Sequence, residues 1–380
     1  MNRTRPRLLA SVLAAGALAL AACGDDGADP TDDTTPGASA GTSPGSAGTA
    51  PGTGDDRPAE SITLVVYDSW TDALDEVLAE FTAETGTEVE VLRAGDTGTM
   101  VSKAVLTAGN PEGDVMFGVD NTFLSRVLDA EVFVPYEAAG LDAVPAELRE
   151  VTPDFEATPI DFGDVCINYD IEWFEEAGLE PPADLEALTD PAYEDLLVVQ
   201  NPASSSPGLA FMLATIAEFG EDGWVDYWAR LRDNGVQVVD SWEDAYYGAF
   251  SGASDGDRPL VVSYGTSPPA EVVFADPPID APTTGVVDTT CFRQIEFAGI
   301  LRGTDHPTEA GALIDFMLSE RFQSELPLNL FVYPANADVE LPEVFTAHAT
   351  VPEDVATLDP AAITEHREAW IETWTDTVLR

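Results

Sequence analysis

An α/β protein built on a largely parallel sheet is the fold class that this 380-residue sequence predicts. Two observations carry that expectation. Short runs rich in Val, Ile and Leu alternate with stretches whose apolar residues recur at helical spacing. A hydrophobic content of 44% is enough for a sizeable core in one large or two medium units. Layered folds of this kind bind ligands in the loops at the C-terminal ends of their strands.

The elements follow in order. A strand over Ile62 to Val66 breaks at Tyr67-Asp68-Ser69. Leu74, Val77, Leu78 and Phe81 share one face of a helix over about Asp72 to Thr85. Val89 to Leu92 forms the next strand, then a Gly/Thr turn leads into a helix over Met100 to Ala108. Asp114 to Phe117 is a strand, Gly118-Val119-Asp120-Asn121 a turn, and Thr122 to Leu128 a helix. Around Thr158 to Tyr169 the register changes: Pro159 to Gly163 reads as a crossing segment and Val165 to Tyr169 as a strand. The alternation then resumes with strand Leu196 to Gln200, a serine loop, and helices Leu209 to Glu218 and Trp224 to Asn234. Strand Gln237 to Val239, helix Asp244 to Ser251 and strand Leu260 to Ser263 continue it. Residues 291–300 are extended and 308–326 helical, and Asp359 to Leu379 is an amphipathic helix carrying Trp370 and Trp374.

The first sixty residues read as an address and a tether. Arg3, Arg5 and Arg7 precede an apolar run, Leu8 to Leu20, that is short for a membrane span, so residues 1–22 have the pattern of a signal peptide. Leu20-Ala21-Ala22-Cys23 looks like a bacterial lipobox, with Cys23 the lipidated residue. Residues 24–60 hold no Val, Leu, Ile, Met or aromatic residue, a composition that cannot offset chain entropy by burial. Such a coil spans roughly 30–35 Å root-mean-square. The working part is then residues 61–380, held outside the cell membrane by a lipid alone.

The formal charge of −54 excludes most nucleic-acid partners, whose phosphates require clusters of Lys and Arg. Lys103 is the sole lysine, which argues against Schiff-base chemistry and P-loop nucleotide hydrolysis. The chain has no Ser-x-x-Lys and no His-Glu-x-x-His, and no histidine lies near the serine loop, so an exported hydrolase is the weaker alternative class. Cys166 and Cys291 remain after Cys23; outside a reducing cytosol they can pair or stay as buried thiols, and without a nearby His they make a weak zinc site.

Several stretches recur together in one family. They are Val66-Tyr67-Asp68-Ser69, Gly118-Val119-Asp120-Asn121, Asn201-Pro202 and Ser205-Ser206-Pro207-Gly208-Leu209. Further along come Ser241-Trp242-Glu243-Asp244-Ala245-Tyr246, Ser263-Tyr264-Gly265-Thr266-Ser267-Pro268, Tyr333-Pro334-Ala335-Asn336 and Arg367-Glu368-Ala369-Trp370. In order and spacing, residues 61–380 resemble the periplasmic substrate-binding proteins of thiamine ABC transporters, within a group that includes ferric-ion and polyamine binders.

That resemblance implies a two-lobed periplasmic-binding-protein fold of type II. One lobe would hold about 61–160 and 294–330 and the other about 164–293 and 331–380, with hinge strands near 159–163 and 292–297. Cys166 and Cys291 would then lie beside the two hinge strands, which favours a disulfide between them. It also implies a monomeric, non-enzymatic receptor with neither cofactor nor metal. Thiamine or its mono- or diphosphate would be trapped between the lobes and handed to a permease with its ATPase.

A thiamine site needs flat aromatic surfaces, a polar edge for the aminopyrimidine and a negative field for the thiazolium. The matching positions are Tyr67, Asp68, Asp120, Ser205, Ser206, Trp242, Tyr264, Phe331 and Tyr333. Each has a plain structural alternative: a strand-end cap for Tyr67, a helix N-terminal acid for Asp68, an N-cap for Asp120, helix capping for the serines, core packing for the aromatics. Trp242 is the strongest candidate, because a tryptophan among polar residues at a turn is poorly explained by the core. The chain departs from the family at Ala270, where some members carry tyrosine, and at Phe331, where some carry tryptophan. Two rival ligands stay open on the same fold: ferric ion, for which the tandem Tyr246-Tyr247 offers hard phenolate oxygens, and a polyamine, which suits the acidic surface.

Overall fold

The computed structural model describes residues 61–352 and 355–380; the expected signal peptide, Cys23 and the linker lie outside them. The described residues form ten strands: β1 (Ser61–Val66), β2 (Glu88–Arg93), β3 (Val115–Asp120), β4 (Phe133–Val134), β5 (Thr158–Asp170), β6 (Leu197–Gln200), β7 (Gln237–Val239), β8 (Leu260–Tyr264), β9 (Thr284–Leu301) and β10 (Tyr333–Pro334). The path through them runs β2-β1-β3-β9-β5-β8-β6-β7, with β4 beside β9 and β10 beside β5.

The sheet is mixed, which corrects the expectation of a largely parallel one. β1 pairs parallel with β2 and β3, and β6 parallel with β7 and β8. Between these two groups run β5 and β9, antiparallel to each other and to β8 and β3 respectively. These long strands carry the chain from one group to the other, so the two halves of the molecule are joined where Thr158–Val165 pairs with Phe292–Ala298. β5 absorbs both the crossing segment and the strand expected after it, and β9 begins seven residues before the expected extended stretch, at Thr284.

Local chemistry accounts for most of the rest. The helix Asp72–Thr85 buries Leu74, Val77, Leu78 and Phe81, opens with Asp72 and Asp75 at its positive end, and stops at Gly86 in the left-handed conformation. The two helices expected after the serine loop form one element, Ser206–Asp233, interrupted at Gly220, whose φ of 67° and ψ of 174° are non-helical. The expected helix 308–326 divides into Pro307–Met317, Glu320–Gln323 and a last turn, Leu326–Asn329. The segment expected to be helical from Asp244 is a wide π-type turn, Asp244–Ala249. A helix at Ser267–Phe274 was not anticipated; its prolines, 268 and 269, sit in the first turn, where no amide donor is missed.

Cys166 of β5 and Cys291 of β9 form a disulfide, with Cα atoms 4.2 Å apart. The C-terminal helix Pro360–Val378 packs Trp374 edge-on against Trp228 at 5.3 Å. It also reaches the other half, where the Arg367 guanidinium lies 4.3 Å from the centre of the Phe123 ring. Among the described residues no helix is long and apolar enough to cross a membrane.

Candidate functional site

A cavity of about 390 Å³ opens between the two halves, at the strand ends where the β1–β3 group faces the β6–β8 group. One wall comes from the loop after β1, Tyr67 to Thr71, and from Asp96 and Thr97 after β2. The opposite wall comes from Ser206, Trp242, Glu243, Tyr246, Tyr247 and Tyr264. Glu296 of β9 lines it from the joining strands, and Asn329 to Val332 close the remaining side. The lining carries four carboxylates (Asp68, Asp96, Glu243 and Glu296) and no Lys, Arg or His.

The halves touch across this cleft. The Ser69 hydroxyl donates to Glu243, and the Gly98 amide donates to the Ser204 carbonyl at 3.0 Å. A Cβ at Gly98 would lie 2.6 Å from that carbonyl oxygen, so only glycine permits this approach. The structure is therefore a closed form.

Six of the nine expected ligand contacts line the cavity: Tyr67, Asp68, Ser206, Trp242, Tyr264 and Phe331. The Tyr67 hydroxyl donates to Glu296 at 3.2 Å, and its ring passes so close to Gly118 that a Cβ there would clash at 2.3 Å. Asp68 is exposed and accepts from the Gly95 amide at 3.0 Å, which fixes the neighbouring turn. Trp242 stacks on Tyr246 with centroids 5.0 Å apart and meets Tyr247 edge-on at 5.3 Å. Its indole N–H donates to Ser263 Oγ at 3.0 Å, and Ser263 in turn bonds Ser267, so the indole plane is held by a hydroxyl relay. The Tyr264 hydroxyl donates to Gln294 Oε1 at 3.1 Å, while Gln294 Nε2 donates to Ser206 Oγ at 3.1 Å. Phe331 holds a φ of 55°, rare for a bulky residue, and faces Phe274 at 5.5 Å.

The other three do not line the cavity. Asp120 is fully buried: one oxygen caps the amides of Thr122 and Phe123, and the other accepts from Gln294 at 2.9 Å. Ser205 is buried at the start of the long helix, behind Ser206. Tyr333 sits in β10, stacked on Phe162 at 5.3 Å and edge-on to Phe345 at 5.6 Å, as a core aromatic. For Asp120 and Tyr333 the structural alternative describes what the side chain does, whereas Ser205 stands at the N-cap position without a capping bond from its hydroxyl.

Several lining residues went unsuggested. Phe274 stands one helical turn beyond Ala270 and supplies the aromatic wall that alanine lacks; the alternating pattern hid it because its helix was missed. Asp96, half-buried beside Glu243, has its carboxyl pushed up to about 7, first by desolvation and then by the Glu243 charge, against hydrogen bonds that favour the anion. Glu296 rises to about 8, through burial and then the charge of Asp120. Burial also raises the Tyr67 and Tyr264 phenols well above their ordinary value, so both stay neutral donors. Nothing local in the sequence distinguishes Glu296, a lone acid in an apolar run.

A Gly-x-Ser-x-Gly string, Gly252 to Gly256, lies outside this site. Ser254 bonds its own turn, donating to the Phe250 carbonyl at 2.6 Å and accepting from the Gly256 amide, so it is not a nucleophile presented at a strand-to-helix elbow.

The profile of bacterial extracellular solute-binding proteins matches residues 110–354. The chain belongs to that family. Among related solute-binding proteins is the thiamine-binding periplasmic protein of Escherichia coli K12, 27% identical over 300 residues that span 79% of this chain and 87% of that one. A solved periplasmic thiamin binding protein superposes with a TM-score of 0.74 at 26% identity, covering 88% of this chain and all of the other. The apo ferric ion-binding protein A of Pasteurella haemolytica shares the fold, with a TM-score of 0.67 at 16% identity over 84% of this chain and 98% of that one. This solute-binding chain thus has the two-lobed type II fold, and β5 and β9 are the strands between its lobes.

Proposed function

We propose that this solute-binding protein is the extracytoplasmic receptor of an ABC importer and closes over thiamine or a thiamine phosphate. The observation that carries the reading is the lining itself: an indole stacked on tyrosine, a second aromatic wall from Phe274 and Phe331, and carboxylates with no base among them. A flat, permanently charged heteroaromatic cation matches those surfaces. The names carried by related proteins support the same ligand. In this reading the protein catalyses nothing. It is tethered as a monomer by a lipid on Cys23 after removal of residues 1–22, with 23–60 as the leash. The lobes comprise about 61–160 with 294–330 and 164–293 with 331–380, and the closed form is what the permease and its ATPase recognise.

Ferric ion is the less suitable occupant. Tyr246 of the tandem pair directs its hydroxyl to Glu271 at 3.0 Å and its ring to Trp242, and neither role leaves it a free phenolate. Calorimetric titration of the refolded, ligand-stripped protein decides among the ligands. One-to-one thiamine binding, weakened about 10- to 100-fold in Trp242→Ala, is expected from loss of an aromatic anchor. Saturation by Fe³⁺ or spermidine with no heat from any thiamine species would replace the ligand and keep the fold.

A further inference from the structure

Beneath the cavity three acids stand in one row across adjacent strands. Glu296 of β9 is the register partner of Asp120 on β3 and also of Asp161 on β5. Glu296 is 6% exposed and the other two are fully buried. Like charges directly opposite one another in a sheet are destabilising, and a buried carboxylate without a partner is more so. Three residues along the same two strands the problem is solved in the ordinary way: Asp164 is the register partner of Arg293, which ion-pairs with it. No such base accompanies Glu296 or Asp161. Glu296 accepts only neutral hydrogen bonds, from Tyr67 and from Gln294, at 3.2 Å each. Asp161 is the more telling case, since neither of its oxygens has a hydrogen-bond partner among the described residues.

We propose that the row Asp120–Glu296–Asp161 is the counter-charge by which this cleft selects a ligand carrying a permanent positive ring, with Glu296 touching the ligand, Asp161 positioning charge behind it, and one proton leaving the row to solvent on binding. The proposal rests on the thiamine reading above. Among the described residues the only positive charge acting on the row is Arg367, and it acts on Asp120, while Glu296 borders the cavity. A delocalised, weakly hydrated cation placed there supplies the missing charge without needing the directional bonds that an ammonium demands.

The surroundings explain why a proton occupies the row when the ligand is absent. Glu296 is faced by Tyr67 after β1, by Asp96 after β2, and by Tyr264 at the end of β8, none of them positive. Arg367 of the C-terminal helix acts on Asp120 and lowers it, yet burial still leaves that carboxyl raised to about 6. Burial and the Glu296 charge hold Asp161 well above its ordinary range. Near neutral pH the empty row therefore keeps at least one proton, and a cation above it favours the fully ionised form.

The test compares thiamine with deazathiamine, the neutral analogue whose thiazolium nitrogen is replaced by carbon. Both are titrated calorimetrically into the purified protein in buffers of different ionisation enthalpy, which counts protons. Wild type should prefer thiamine by at least about 100-fold and release about one proton per ligand near pH 7. Glu296→Gln and Asp161→Asn should each reduce that preference to under about tenfold and lessen proton release. Far-UV circular dichroism and thermal unfolding of each variant report that it is folded. Equal affinity of wild type for the two ligands, or thiamine binding with no proton released, overturns the proposal and leaves the thiamine reading standing. Failure to bind thiamine at all overturns both.

Discussion

Trp242 and Tyr67 are half-buried, Trp242 stacked on Tyr246 and Tyr67 tilted against Phe117, so each ring borders both the packed interior and the cavity. Glu296 lies between Ile295 and Phe297, and only its cross-strand partners reveal that it meets two further carboxylates. Its effect on stability has a definite sign. A carboxyl whose pKa rises on folding binds its proton more tightly in the folded state, so stability falls as pH climbs from the ordinary value of 4.5 toward about 8. Urea unfolding of the ligand-free protein across that window should show the decline, and Glu296→Gln should make it shallower, with Asp96, Asp120 and Asp161 supplying the remainder. Identical slopes in the two proteins would mean that Glu296 is not titrating there. Added thiamine should raise the melting temperature more at the alkaline end than at the acid end, because it offsets the charge that appears there.

Elements followed the sequence wherever a single periodicity ran without interruption, as in β1 and the helix Asp72–Thr85. The long joining strands did not. Pro159 to Gly163 reads as a crossing segment and Asp164 falls between it and the expected strand, yet all lie inside β5, because the ladders to β9 and β10 satisfy their backbone and the acids serve the site and the Arg293 pair. Local rules failed where function placed polar groups in a buried strand. The contact between the two helix starts at Gly98 and Ser204 gives a prediction at this scale. Gly98→Ala should strengthen the helix Thr97–Leu106 by up to about 1 kcal/mol on propensity alone. The added Cβ nevertheless meets backbone across the cleft, and backbone there cannot move aside without reopening it. The expected outcome is an unchanged or higher melting temperature without ligand, together with thiamine affinity reduced about tenfold or more. Small-angle scattering should show less contraction on ligand addition than in wild type; full contraction and full affinity would show that the Gly98 contact does not limit closure. The disulfide works on a different term. Cys166 and Cys291 are 125 residues apart in sequence but already adjacent in β5 and β9, so the bond mainly restricts the unfolded chain. Replacing both by alanine should cost about 2–4 kcal/mol of stability and leave ligand affinity within about threefold.

For the whole molecule, charge is the property most visible in the sequence and least informative about the fold. Residues 61–380 hold 62 acids against 12 bases, an imbalance that shapes the field outside the protein rather than the packing within it. The acids are not a uniform coat: the cleft lining is acidic, and the row beneath it adds negative charge in a region of low dielectric. Walls of that kind focus the potential toward the cavity, so a cation arrives faster than a neutral molecule of the same size. Salt distinguishes this long-range term from contact inside the closed site, because the screening length falls from about 30 Å at 0.01 M to about 3 Å at 1 M. Stopped-flow mixing, read by tryptophan fluorescence at the Trp242 wall, should show the thiamine association rate falling about three- to tenfold over that range. The rate for deazathiamine should stay nearly flat, and dissociation of both ligands should change little, since the closed cleft excludes the screening ions. Equal salt dependence for the charged and neutral ligands would assign the effect to closure of the lobes instead of to attraction of the cation.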